Sequence, residues 1–230
     1  MRVMTSPTPD QARNGRHVVI LCHPAPGSFN HSIADTYCKV VRANGHHVVF
    51  RDLYAMGFDP ILQASERPGA GFLPSPDIAR ELATIAGGDV FVLIYPIWFG
   101  TPPAMMKGYV ERVLGSGIGP DAVQRRLQTP LLGNKRLLSF TTSAASNGWL
   151  NEQGQERSLR DVFDDYLAHA FGMHSQSHVR FDHITDGLSE RFALQYLRDV
   201  EDRARRMCAE VAFGDEALLA NAGLVGLFAQ

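Results

Sequence analysis

The stretch Val18-Val19-Ile20-Leu21-Cys22-His23-Pro24-Ala25-Pro26-Gly27-Ser28-Phe29-Asn30 decides the fold of this chain. Its first part is a run of β-branched and apolar residues, which suits a strand buried on both faces. Pro24, Pro26 and Gly27 then break the run. Ser28 and Asn30 are both good helix N-caps, and Ile33, Ala34, Tyr37, Val40 and Val41 follow at helical spacing. Strand, tight loop and helix in this order aim free N–H groups and a positive helix end at the space above the strand, where a phosphate can bind. The loop is neither a Gly-x-Gly-x-x-Gly fingerprint nor a Gly-Lys-Ser/Thr P-loop, so a mononucleotide-type phosphate held by hydroxyls and amides fits it better. The plainer alternative is an ordinary βα turn that binds nothing.

The chain has 230 residues, 45% hydrophobic and 20% charged, which predicts one ordered α/β domain with long loops. A net charge of −2 gives no general basis for binding nucleic acid or a membrane surface. Three scattered cysteines, Cys22, Cys38 and Cys208, fit a reducing compartment, and a cytoplasmic location is expected. No apolar run approaches the roughly 20 residues that span a bilayer, so no membrane insertion is expected. Residues 1–15 are polar, lack a hydrophobic signal core and read as a disordered N-terminal segment. The domain is expected over 16–213, with a tail at 214–230 ending in apolar residues.

Strand and helix patterns alternate onward from the opening stretch. Strands are expected at His46–Phe50, Asp89–Tyr95, Lys135–Thr141 and Met173–Phe181, with Asp89–Tyr95 central because it is almost wholly apolar. Helices are expected from Pro76 to Ala86, Pro103 to Val113, Leu159 to Ala170 and Phe192 to Val211. Leu53–Pro76, Leu114–Asn134 and Thr142–Gly154 read as loops. Five strands separated by helices imply a doubly wound parallel sheet, whose ligand lies beyond the carboxyl ends of the strands where strand order reverses. Three loops with distinctive chemistry fall at those ends. Besides His23–Asn30, Pro96-Ile97-Trp98-Phe99 carries two aromatics that could stack on a flat ligand or plug a subunit contact. Thr141-Thr142-Ser143-Ala144 offers hydroxyls and closely spaced amides suited to the edge of a heterocycle.

His23 with Ser28-Phe29-Asn30, Asp52-Leu53-Tyr54, Tyr95-Pro96-Ile97-Trp98-Phe99-Gly100, Pro103-Ala104-Met105-Met106-Lys107-Gly108, Arg112-Val113 and Thr141-Thr142 together resemble the flavodoxin-like NAD(P)H:quinone reductase family. The similarity extends to the mammalian quinone reductases, the bacterial modulator-of-drug-activity type and the ancillary subunits of potassium efflux systems. It implies a flavodoxin-like fold, a bound flavin, a homodimer, and two-electron transfer from NAD(P)H to a quinone-like acceptor by a ping-pong mechanism. Carried over by position, His23, Ser28, Phe29 and Asn30 would lie at the flavin phosphates. Pro96, Ile97, Trp98 and Phe99 would lie along the isoalloxazine, and Thr141, Thr142, Ser143 and Ala144 at its polar edge. FAD is the expected flavin, with FMN the alternative. Reduction of azo or nitro compounds or of free flavin, and service as a flavin-binding regulatory subunit of a membrane transporter, are the other roles compatible with the resemblance.

One departure stands out. Mammalian members carry a Tyr and a His after the Thr-Thr pair, thought to handle the proton during hydride transfer. The same intervals lead here to Trp149 and Gln155. Neither side chain titrates near neutral pH, so a relay at these positions is in question. No metal is expected: His169, His174, His178 and His183 lack a ligand-type spacing.

Overall fold

The computed structural model describes residues 13–125, 127 and 129–214. The segment expected to be disordered lies outside the described residues as far as residue 12, and the apolar tail lies outside them beyond Gly214.

Five strands form one sheet: β1 (Arg16–Leu21), β2 (His47–Asp52), β3 (Val90–Pro96), β4 (Arg136–Thr142) and β5 (Ser175–Phe181). The order is β2-β1-β3-β4-β5 and every pairing is parallel. This is the doubly wound flavodoxin-like arrangement expected from the sequence. All seven residues of β3 are buried, in keeping with its apolar run and central place. Side chains alternate across the sheet, so the chain builds two cores. Val18, Ile20, Phe91, Leu93 and Leu137 pack on one face, under α2 (Pro76–Ile85), α3 (Ala104–Tyr109) and further helices described below. Val19, Leu21, Val92, Ile94 and Phe140 pack on the other, under α1 (Phe29–Ala43) and the last helix, α8 (Glu190–Phe213).

α3 runs on through a π-helical turn, Val110–Leu114, and a short α4 (Pro120–Gln124) follows. Beyond β4, residues 147–152 form α5 (Asn147–Glu152). The sequence reading placed this segment in a loop. The helix forms because its free donors are met: Ser146 Oγ accepts the Trp149 N–H at 3.1 Å, and Asp182 accepts the Asn147 N–H at 3.0 Å. The second acceptor comes from far along the chain, which local propensity does not register. α6 (Gln155–Leu159), a π-helical turn (Arg160–Asp164) and α7 (Asp165–Ala170) then complete the first face.

The long segment after β2 is docked by a buried ion pair. Glu66 closes a single 3-10 turn, Ala64–Glu66. Arg112 donates from Nε to Oε2 of Glu66 at 2.8 Å and from Nη2 to Oε1 at 2.7 Å. Both side chains are only 2% exposed. The fork geometry supplies two charge-assisted bonds in one plane, and the guanidinium also lies 5.6 Å from the centroid of the Phe58 ring. Gly108 lets the loop approach α3, since a Cβ there would sit 2.4 Å from Pro60. Hydrogen bonding from Arg112 lowers the Glu66 carboxyl from 4.5 to about 2.

The Glu66 carboxyl is therefore lower in the folded chain than in the unfolded one. Its stabilisation is complete above about pH 4.5 and is lost as pH falls toward 2, at about 1.4 kcal/mol per pH unit. Glu66→Gln, which removes the bidentate partner and leaves Arg112 with only the Asp77 carboxylate, 3.2 Å from Nη2, should cost about 1.5–3 kcal/mol in urea unfolding at pH 7. It should also flatten the acid limb of the stability profile. An unchanged midpoint would show that the loop is held by other contacts.

Candidate active site

The carboxyl ends of the strands converge on a cleft of about 480 Å³ at the point where the chain leaves β1 for neighbours on opposite sides. One wall is the loop after β1, with His23, Gly27, Ser28, Phe29 and Asn30. A second is the start of the β3–α3 connection, with Pro96, Ile97 and Trp98. The third comes from the end of β4, with Thr142, Ser143 and Ala144. The three loops singled out by their composition thus meet in one place.

The phosphate-type loop differs in detail from its reading as a pair of caps. Ser28 holds the N-cap position but makes no bond to the helix amides. Its hydroxyl lies 2.8 Å from His31 Nδ1 instead. The first amides of α1 are therefore left without a side-chain cap, which suits an anion binding from outside. Asn30 is inside the helix and 2% exposed. Its Nδ2 donates to Thr142 Oγ1 at 3.1 Å, and the hydroxyl lies 3.2 Å from Oδ1. A buried amide needs such a partner, and the end of β4 provides it.

His23 Nδ1 lies 3.1 Å from the Ala25 N–H and 3.3 Å from the Ala25 carbonyl. With Nδ1 accepting the Ala25 N–H, the ring proton sits on Nε2. Burial lowers the His23 pKa, so the ring acts as a neutral donor at pH 7. The Trp98 ring lies 6.0 Å from it, and Trp98 is 39% exposed. Trp98 and Thr101 close a two-residue turn with N–H to carbonyl bonds of 3.0 and 3.1 Å. Phe99 and Gly100 occupy its centre with φ of +49° and +81°, a type I′ turn. Phe99 is fully exposed at the tip and does not line the cleft.

Three other predicted residues lie outside the cleft lining. Thr141 faces the opposite side of the sheet from Thr142; its hydroxyl is 2.7 Å from His178 Nε2. His178 Nδ1 bonds Asp164, which also accepts from Ser139 at 3.0 Å. Thr141, Ser139 and Asp164 are each 0% exposed, so this chain of polar groups is closed inside the core. Trp149 is 51% exposed on α5. Gln155, at the start of α6, packs against the aromatic turn: a Cβ on Gly100 would fall 1.6 Å from its Nε2.

Sequence reasoning missed the connection between β5 and α8. Ile184, Thr185, Asp186 and Leu188 line the remaining side of the cleft. The position rule for strand ends could have found them, but their types carry no motif. Asp182, just before them, also accepts from Tyr196 Oη at 2.8 Å. Burial raises its pKa, but the bonds from Asn147 and Tyr196 outweigh that and lower it overall.

Residues 15–204 match a protein family described by its flavodoxin-like fold. An uncharacterised NAD(P)H oxidoreductase of Haemophilus influenzae is 32% identical over 199 residues, covering 85% of this chain and 91% of its own length. NAD(P)H dehydrogenase [quinone] 1 of Cavia porcellus is 30% identical over 151 residues, 57% of this chain and 54% of that protein. Among solved structures, an NAD(P)H:quinone oxidoreductase from Methanothermobacter marburgensis superposes with a TM-score of 0.70 at 19% identity, covering 85% of this chain and 96% of that one. The chain belongs to the flavodoxin-like family, and its well-covered relative is an NAD(P)H oxidoreductase.

Gly100→Ala should destabilise the chain by about 1–2 kcal/mol through left-handed backbone alone, and push Gln155 from its place. Adding Gln155→Ala should relieve the collision but not the backbone term. Urea unfolding of the single and double variants tests this. A Gly100→Ala chain as stable as the parent would mean that the turn has another geometry.

Proposed function

We propose that the chain is a flavin-dependent oxidoreductase that moves two electrons from NAD(P)H to a quinone-like acceptor. The observation that carries this reading is the convergence of an uncapped helix start, an aromatic turn and the Thr142–Ala144 amides on one cleft. These donors match the parts of a flavin in order. The helix amides, Ser28 and the His23 Nε2–H would hold phosphate. Trp98 and Ile97 would flank the ring system, and the segment Thr142–Ala144 would face its polar edge. A flavin held by these residues would supply the hydride chemistry of a ping-pong exchange between NAD(P)H and the acceptor. The protein's task is to bind, to orient and to exclude water. Gln155 would support the aromatic turn, and neither it nor Trp149 exchanges protons near neutral pH.

FAD is the flavin we favour over FMN. Ile184 and Leu188 extend the cleft with an apolar ledge suited to an adenine ring, and the Asp186 carboxylate can accept from ribose or adenine donors. Purified protein should be yellow and bleach within seconds on adding NADPH or NADH without oxygen. The released cofactor should have the mass of FAD; FMN alone would reverse that preference, and a colourless protein that takes up neither would overturn the flavin reading. Trp98→Ala, which removes a stacking contact of about 1 kcal/mol, should weaken flavin retention and raise KM for both substrates severalfold. Unchanged kinetics with full flavin would place Trp98 elsewhere.

The acting species is proposed to be a homodimer. An apolar groove of about 400 Å³ runs between the docked loop and α7, lined by Leu62, Val110, Val162 and Tyr166. Val162 is 67% exposed and Tyr166 52%, while Ile61 and Leu73 on the loop are 67% and 66% exposed. Apolar exposure on this scale favours a partner surface. Light scattering should return twice the chain mass at micromolar concentration; a monomer throughout would reject the dimer.

A further inference from the structure

Three side chains far apart in sequence meet at the amino-terminal edge of the sheet, across the molecule from the cleft. His17 is the second residue of β1, His46 lies between α1 and β2, and Cys208 is in α8. One ligand-type atom from each lies within 4.8 Å of the other two. Their exposures are 0%, 7% and 3%. The two imidazoles meet edge to face with ring centroids 5.3 Å apart.

Packing accounts for only part of this arrangement. The Nδ1 of His17 is met by the Tyr37 hydroxyl at 2.8 Å. Its Nε2 has no hydrogen-bond partner. A fully buried ring nitrogen left unpaired is uncommon and unfavourable. When Nδ1–H donates to Tyr37, what remains at Nε2 is a free lone pair on a ring that meets a second imidazole edge to face. That bond from the outer nitrogen is also how metal-binding histidines are usually oriented.

We propose that His17, His46 and Cys208 form a binding site for one zinc ion, with a fourth, open position. Two imidazoles and a thiolate are a donor set that zinc accepts, at about 2.0–2.1 Å for nitrogen and 2.3 Å for sulfur. Neither histidine has a proton to displace near neutral pH: burial lowers His17 to about 3 and also lowers His46. Cys208, raised to about 11 by burial, is the group that gives up its proton as the metal binds. The negative charge of Asp89, felt at both histidines, offsets part of the added positive charge. Binding has one local cost. His46 Nδ1 accepts the Gly15 N–H at 3.0 Å, and zinc on Nε2 requires a proton on Nδ1, so this contact is given up. Sequence spacing could not reveal the site, since its ligands come from three separate elements. It stands apart from the cleft and does not depend on flavin binding.

Tag-free protein stripped with a chelator should take up one equivalent of zinc in equilibrium dialysis. Cobalt in its place should give a thiolate-to-metal charge-transfer band. With free zinc at about 100 times the dissociation constant, the melting temperature should rise by about 5–10 °C. Cys208→Ala and His46→Gln should each abolish stoichiometric uptake and the cobalt band, while Cys38→Ala keeps both. Should Cys208→Ala fail to fold, His46→Gln decides, because that residue lies in a turn near the surface. No uptake by the parent at micromolar zinc, or equal uptake by His46→Gln, would overturn the site.

Discussion

The Asn30–Thr142 hydrogen bond is the contact on which the geometry of the cleft depends. It joins the first turn of α1 to the last residue of β4, across 112 residues of sequence, in surroundings that exclude water. Its neighbours repeat the principle. The Ile97 N–H donates to the Thr142 carbonyl at 2.8 Å, and the Ser143 N–H to the Phe181 carbonyl at 2.9 Å. Each loop is thereby pinned to the next strand's end before it turns away. Replacing either Asn30 or Thr142 by an apolar residue would strand the other in the core, at a cost of about 1–3 kcal/mol. The helix start and the β4 amides would then move independently, and the cleft would lose its fixed width.

On the opposite face of the sheet, the equivalent job falls to Arg112. It ties the long loop after β2 to the helix system that borders the apolar groove. A groove proposed to receive a second copy gains from keeping its shape while free, because ordering it on contact would subtract from the association energy. The bidentate Glu66–Arg112 pair and the close approach at Gly108 supply that order. Phe99, at the tip of its turn, is likewise held in one place, its ring displayed outward by the backbone.

Much of this was readable beforehand, for physical reasons that differ from part to part. The strands were legible because burial on both faces leaves near-continuous apolar runs, as in β3. The cleft was legible because parallel topology sends three chemically distinctive loops to one edge. What escaped was set by distant partners. α5 exists because Asp182 supplies an acceptor, and Asn30 was read as a cap because its true partner, Thr142, is remote in sequence. Ile184 to Leu188 escaped for a simpler reason: their residue types are those of any loop. Thr141 and Thr142 are adjacent in sequence yet face opposite sides of the sheet, a consequence of strand alternation that a motif written as a pair conceals.

The burial of Cys22 has a bearing on chemical durability. It is the residue next to His23, 0% exposed, and desolvation raises its thiol to about 12. Thiolate is the form that attacks peroxides and disulfides, and at neutral pH Cys22 has almost none. Cys38 is likewise raised, to about 11. The sulfur directly behind the loop that carries His23 is therefore kept in a form that oxidants scarcely touch.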